Sequence, residues 1–147
     1  MKYLKEPITA KEYIDTALVY RKFKFYSKAE SCFLKAINIY EHQISDEKNE
    51  DIWVRLVDAY GNLALMFDEN QNIGKAETYY RFAVKIMEDR IAKDKYEYVS
   101  GLVACLSCLG ALIESEDCFR KAYVYAKFLP EDAICKDVIE TWEDIFQ

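Results

Sequence analysis

The chain has 147 residues, 52% hydrophobic and 15% aromatic, enough for one domain with a sizeable core and too apolar for global disorder. Four Gly and two Pro leave little room for the tight turns of a β-sandwich or barrel, and favour long helices joined by short polar loops. With 26 acidic against 20 basic residues and a formal charge of −6, no basic stripe is visible that would displace counterions from phosphates, so a nucleic-acid partner is not expected.

In chain order, Thr9-x-x-Glu12 reads as a capping box that opens a first helix over about residues 10–24, with Tyr13, Ala17 and Tyr20 at helical spacing. A second capping box, Ser27-x-x-Glu30, restarts a helix carrying Ala29, Phe33, Ala36, Ile37 and Tyr40. So short a turn folds the two back as a hairpin. The polar segment 42–51 is expected to pass into the next helix, with Ser45 as cap and Asp46 and Glu47 at the positive end of its dipole. His42, near a helix C-terminus, has the same electrostatic reason for its place.

A third helix carries Ile52, Trp53, Leu56, Val57, Tyr60, Leu63, Ala64 and Phe67, and a fourth spans about 74–93. A fifth is expected over about 95–109, a turn at Gly110, and a sixth over about 114–128. Pro130 stops the sixth and, with its preset φ, is suited to opening a seventh over about 131–146. That last helix is amphipathic, with Ile134, Val138, Trp142, Ile145 and Phe146 on one side.

Five cysteines and a polar N-terminus predict neither a disulfide framework nor a signal peptide, which fits a reducing cytoplasm. Residues 98–113 are uncharged but include Ser100, Gly101, Ser107 and Gly110 and fall short of the ~20 apolar residues of a membrane span. They read as a helix buried among others, and no membrane partner is expected. Cys105-x2-Cys108 lacks a second ligand pair for a metal and lies inside an apolar helix rather than at a helix N-terminus, so it reads as packing. No catalytic signature is present: no GxSxG, no phosphate-binding GxxxxGK[ST] and no HExxH. The expectation is a protein that is not an enzyme and needs no cofactor.

The hairpins carry a recurrence. Ala29-x3-Phe33-x2-Ala36 returns as Ala76-x3-Tyr80-x2-Ala83 and as Ser115-x3-Phe119-x2-Ala122, preceded by Ala17 and Tyr20, Ala64 and Phe67, and Val103 and Leu106. Small residues let the helices of a hairpin approach, and the aromatic fills the wedge to the next hairpin. This pattern resembles the tetratricopeptide repeat, best in Tyr60, Leu63, Ala64, Phe67, Ala76, Tyr80 and Ala83. It departs from the family where Gly is replaced by Ala17, Ala64 and Val103, and the closing Pro by Glu41, Glu88 and Lys127. The recurrences are also 47 and then 39 residues apart.

The resemblance implies an all-α, right-handed α-solenoid of three helix-turn-helix repeats plus a C-terminal capping helix. As one domain over 1–147, it would hold repeats at about 10–43, 52–93 and 95–129 and the cap at about 131–146. Ile134, Val138 and Trp142 are expected to bury against the third repeat, so removal of residues 131–147 is expected to cause aggregation.

In this family the first helices of successive repeats line a concave groove. The matching positions here are Lys11, Ile14, Leu18, Arg21 and Lys22, then Asp58, Gly61, Leu65, Asp68 and Glu69, then Glu97, Ser100, Ala104, Ser107 and Cys108. The implied groove has an apolar floor with a basic and an acidic end. Leu18 and Leu65 stand where some members use asparagine to clamp a terminal carboxylate, so the floor suits an amphipathic helix or apolar peptide of a partner protein. The alternative is a structural subunit or homodimer acting through the same surface.

Overall fold

The computed structural model describes Pro7, residues 9–44 and residues 49–147. Among these residues there are seven α-helices and no strand: α1 (Ala10–Lys22), α2 (Tyr26–Gln43), α3 (Glu50–Glu69), α4 (Ile73–Ile91), α5 (Val99–Ile113), α6 (Glu116–Ala126) and α7 (Ala133–Phe146), with a 3-10 turn at Tyr96–Tyr98. Neighbours in sequence are neighbours in space. α1 packs on α2, α3 on α4 and α5 on α6, and these pairs meet through α2 on α3 and α4 on α5, with α7 on α6 and α5. The protein is all-α.

Most helix starts are capped by a short polar side chain. Thr9 Oγ1 accepts from the Glu12 N–H at 3.1 Å, Asn72 Oδ1 from Lys75 N–H at 3.2 Å, and Ser115 Oγ from Cys118 N–H at 3.3 Å. Asn49 caps α3, and Asp132 Oδ2 accepts from both Ile134 and Cys135 N–H groups at 3.1 Å. The expected cap Ser45, and Asp46 and Glu47 expected at the positive end of the dipole, lie outside the described residues. Ser27 is not a cap: α2 starts at Tyr26, behind Phe25, and Ser27 falls within its first turn. Pro130 lies in the turn before α7, whose opening residue is Ala133.

The three hairpin turns share one backbone path. Lys24, Gln71 and Glu114 each take positive φ (63°, 59° and 52°). The next residue's N–H then reaches back to the Tyr20, Phe67 or Gly110 carbonyl at 2.8–3.0 Å, which satisfies a helix-end carbonyl. Glycine is favoured at such a position, yet none of the three is glycine. Gly110 instead lies inside α5, where a Cβ would come 3.2 Å from Cys118 Cβ and from two Phe119 ring carbons. The glycine permits close approach of α5 and α6 rather than a turn.

These turns fix the register of the hairpins. Nine residues after each lie Phe33, Tyr80 and Tyr123, and twelve after each lie Ala36, Ala83 and Ala126, all fully buried. The third hairpin therefore sits four residues further along than the motif alignment places it. Ser115, aligned in sequence with Ala29 and Ala76, is the N-cap and corresponds to Phe25 and Asn72. Phe119 is the residue equivalent to Ala29 and Ala76, and Gly110 stands opposite it where Tyr20 and Phe67 stand in the other hairpins. The large and small partners have exchanged sides.

Tyrosine hydroxyls tie helices of neighbouring hairpins, and α6 to α7. Tyr79 donates to Glu30 at 2.8 Å, Tyr60 to Glu41 at 3.2 Å, Tyr125 to Glu88 at 3.0 Å and Tyr123 to Glu143 at 2.8 Å. The ring fills the interface while the hydroxyl meets a charged acceptor at its wet margin. Glu41 and Glu88 occupy the same place in successive hairpins, 17 residues after the turn residue. A further tie joins α3 to α4: Arg90, only 2% exposed, pairs with Glu50 and stacks on Trp53 at 4.7 Å, while Tyr98 donates to Glu50 at 2.8 Å.

α7 covers the far side of the third hairpin with Cys135, Val138 and Phe146 buried and Trp142 half-buried, stacked on Phe119 at 4.8 Å. Ile134, expected to bury, is exposed, and so is Ile145. Val138, Trp142 and Phe146 face inward as the sequence pattern places them, and only the first inward place differs, taken by Cys135 in place of Ile134 behind the Asp132 cap.

Candidate functional site

The first helix of each hairpin, α1, α3 and α5, carries the residues assigned to a groove. Leu18 and Leu65 stand six residues before their turn residues and are 41% and 42% exposed. The third residue in that place is Cys108, half-buried, and Ala104 likewise matches Ile14 and Gly61. Glu97, Ser100 and Ser107 do not match under the register set by the turns; Gly101, Ala111 and Leu112 take those places. Ser100 instead donates to Asp132 at 3.0 Å, and Ser107 donates to the Val103 carbonyl at 2.8 Å.

Two hollows open between α3 and α5. One, of about 580 Å³, is lined by Asp68, Gln71, Ile73, Cys108, Ala111 and Leu112. The other, of about 210 Å³, is lined by Val54, Val57, Asp58, Met87, Glu97, Tyr98 and Gly101. The structure thus brings Asp68 and Cys108 to one hollow and Asp58 and Glu97 to the other. Partial desolvation raises the Asp58 carboxyl above its usual range.

The charges are not left free at both ends. Arg21 on α1 reaches Glu69 on α3 at 2.5 Å and donates to Asn62 Oδ1 at 3.4 Å, so this part of the basic end neutralises part of the acidic one. That pairing ties residues 48 positions apart, and no local pattern announces it. Asp68 is also engaged, accepting from Tyr80 at 3.1 Å. Lys11 and Lys22 remain exposed on α1, and Asp58 and Glu97 on the α3–α5 side.

The thiols of this face have the chemistry of packing groups. Burial, then the neighbouring Cys108 and Asp58, pushes the Cys105 thiol up to about 12, so it stays protonated at neutral pH and is a poor nucleophile. Cys105 and Cys108 are half-buried, less enclosed than the sequence suggests, whereas Cys32, Cys118 and Cys135 are buried. Among the described residues no group of three or more His, Cys, Asp or Glu is placed to hold a metal. His42, in the last turn of α2, donates from Nδ1 to the Asn38 carbonyl at 2.7 Å.

Tyr96–Ile113 is long and apolar enough, by length and composition alone, to cross a membrane. In the fold its helical part, α5, packs against α4, α6 and α7. Its remaining face carries Gly101, Ala104, Cys108, Ala111 and Leu112, of which Cys108, Ala111 and Leu112 line the larger hollow and Gly101 the smaller.

Among the described residues the protein is an all-α array of paired helices, with Leu18 on α1 and Leu65 on α3 left partly exposed. No protein-family model matches the chain, and no curated protein matches it in sequence.

Proposed function

We propose that this chain is a tetratricopeptide-like interaction module: a right-handed α-solenoid of three helical hairpins closed by α7. It binds an amphipathic helix or apolar peptide of a partner protein across α1, α3 and α5. The observation that carries the reading is the matched pair Leu18 and Leu65, two leucines left over 40% exposed at the same place of successive hairpins. A ligand helix laid across them buries apolar surface on both. Lys11 and Lys22 on one side, and Asp58 and Glu97 on the other, then orient a ligand of opposite charge asymmetry. The role is binding, with no catalytic step and no cofactor, in a cytoplasmic setting.

The test is capture of partners from the native host by the wild-type chain and by Leu65→Glu, with helicity checked by circular dichroism. The wild type should retain a partner that the variant loses; equal capture by both would remove the groove reading. Self-association through the same leucines is the second reading, favoured by their exposure at the same place of successive hairpins. Sedimentation at micromolar concentration decides it, because a dimer abolished by Leu65→Glu assigns the face to a second copy of the chain.

A further inference from the structure

The turns that open α2, α4 and α6 follow one backbone path but differ in how the helix that follows is capped. Asn72 and Ser115 cap their helices through side-chain oxygens, whereas the corresponding Phe25 makes no capping bond. Polar caps stabilise a helix start, so the first turn forgoes local stability for an aromatic side chain. It then leaves that side chain in water: Phe25 is 47% exposed and Phe23 58%. Locally unfavourable choices of this kind concentrate where a surface has a function.

The surroundings are cationic. Residues 21–28, Arg-Lys-Phe-Lys-Phe-Tyr-Ser-Lys, hold four cations and no acid in a chain of net charge −6. Arg21 is committed to Glu69. Lys22 and Lys24 are exposed, and the Lys28 ammonium lies 5.7 Å from the Tyr20 ring and 5.8 Å from the Phe25 ring. Phe25 also meets Tyr20 edge-on at 6.3 Å, which holds its ring in a fixed place at the tip.

We propose that the α1–α2 turn docks on an anionic lipid bilayer, with Phe23 and Phe25 entering the headgroup layer and Lys22, Lys24 and Lys28 against lipid phosphates and carboxylates. The tip is a projecting turn rather than a hollow. A lipid surface accepts a projecting aromatic without a preformed pocket, and long lysine stems let the ammonium groups reach the charged layer. Apolar insertion and charge attraction are each weak, and together they give reversible attachment. This is contact with a membrane surface without spanning it, and it sets aside the expectation of no membrane partner. It does not use Leu18 or Leu65, which stand on the helix faces and not on the turn, and shares only Lys22 with the proposed peptide site.

The test is co-sedimentation of the full chain with phosphatidylcholine vesicles prepared with and without phosphatidylserine. Binding is expected only with phosphatidylserine, and should weaken as salt screens the charges. Each lysine near an anionic surface is worth about fivefold in partitioning, so Lys22→Glu with Lys24→Glu should lower binding well beyond tenfold. Phe23→Ser should lower it about tenfold, the scale of burying most of one phenylalanine ring, with helicity and thermal midpoint unchanged. Phe25→Asn supplies the missing cap and should also lose binding while remaining folded. Failure to bind phosphatidylserine vesicles, equal binding to neutral ones, or folded variants that bind as well as the wild type would each overturn the proposal. So would affinity for polyglutamate without affinity for vesicles, which would assign the turn to an acidic protein.

Discussion

Gly110 on α5 lies against Phe119 on α6 so closely that a Cβ at position 110 would stand 3.2 Å from two carbons of the ring. In the first two hairpins the aromatic is on the first helix (Tyr20, Phe67) and the small residue on the second (Ala29, Ala76). In the third the sizes are exchanged, which keeps the helices close by filling the same space from the other side.

Gly110→Val is therefore expected to destabilise the fold by about 2 kcal/mol, because the added methyls meet Cys118 Cβ as well as the ring. Phe119→Ala should cost stability by itself through the lost stack on Trp142 at 4.8 Å. The double variant should lose less than the sum of the two. A urea double-mutant cycle reads the coupling, and strict additivity would mean that the contact has no energetic weight.

Arg90 illustrates a buried charge that its partners make tolerable. Glu50→Gln removes the Glu50 charge from the guanidinium that stacks on Trp53, while Lys95, 3.6 Å from Glu50, loses an attraction. Breaking a fully buried pair costs about 3–5 kcal/mol, and the partial exposure of Glu50 lowers the expected loss to roughly 2 kcal/mol. The urea midpoint should fall with an unchanged slope.

The start of α7 should respond to acid. N–H donation from Cys135, with further bonds from Ser100 and Ile134, holds the Asp132 carboxyl below its ordinary value. Donation from Gln147 and then Tyr123 does the same for Glu143. A carboxyl whose folded pKa is depressed contributes its stabilisation in full above the unfolded value of ~4, and loses it as pH falls through the folded value. Trp142 fluorescence in a Trp53→Phe background, followed against pH in mild urea, should show α7 loosening below about pH 4. Asp132→Asn retains a capping oxygen but does not titrate, so it should shrink that acid limb to the part contributed by Glu143.

Helices are legible in the sequence because apolar spacing is local: Ala17, Phe33, Leu63, Tyr80 and Val103 are all buried where helical period places them. Thr9 was legible as a cap for the same reason. Ser27 and Gly110 misled because each residue type has two uses. Serine caps helices but is tolerated within a first turn, and glycine ends helices but also admits a neighbouring ring. The register of the third hairpin was hidden because a small–aromatic–small motif fits α6 in two positions four residues apart, and only the left-handed Glu114 selects between them. Long-range ties such as Arg21 to Glu69 and Tyr125 to Glu88 leave no trace in local pattern, and the first of them neutralises charges that the sequence alone leaves open.

The measurement that bears most directly on the groove is amide chemical-shift mapping with a helical peptide obtained by display selection against the wild-type chain. The proposed function predicts that shifts concentrate on α1, α3 and α5, around Leu18, Leu65, Ala104 and Cys108, and vanish with Leu65→Glu. Shifts confined to the outer helices α2, α4 and α6, or unchanged by Leu65→Glu, would contradict it.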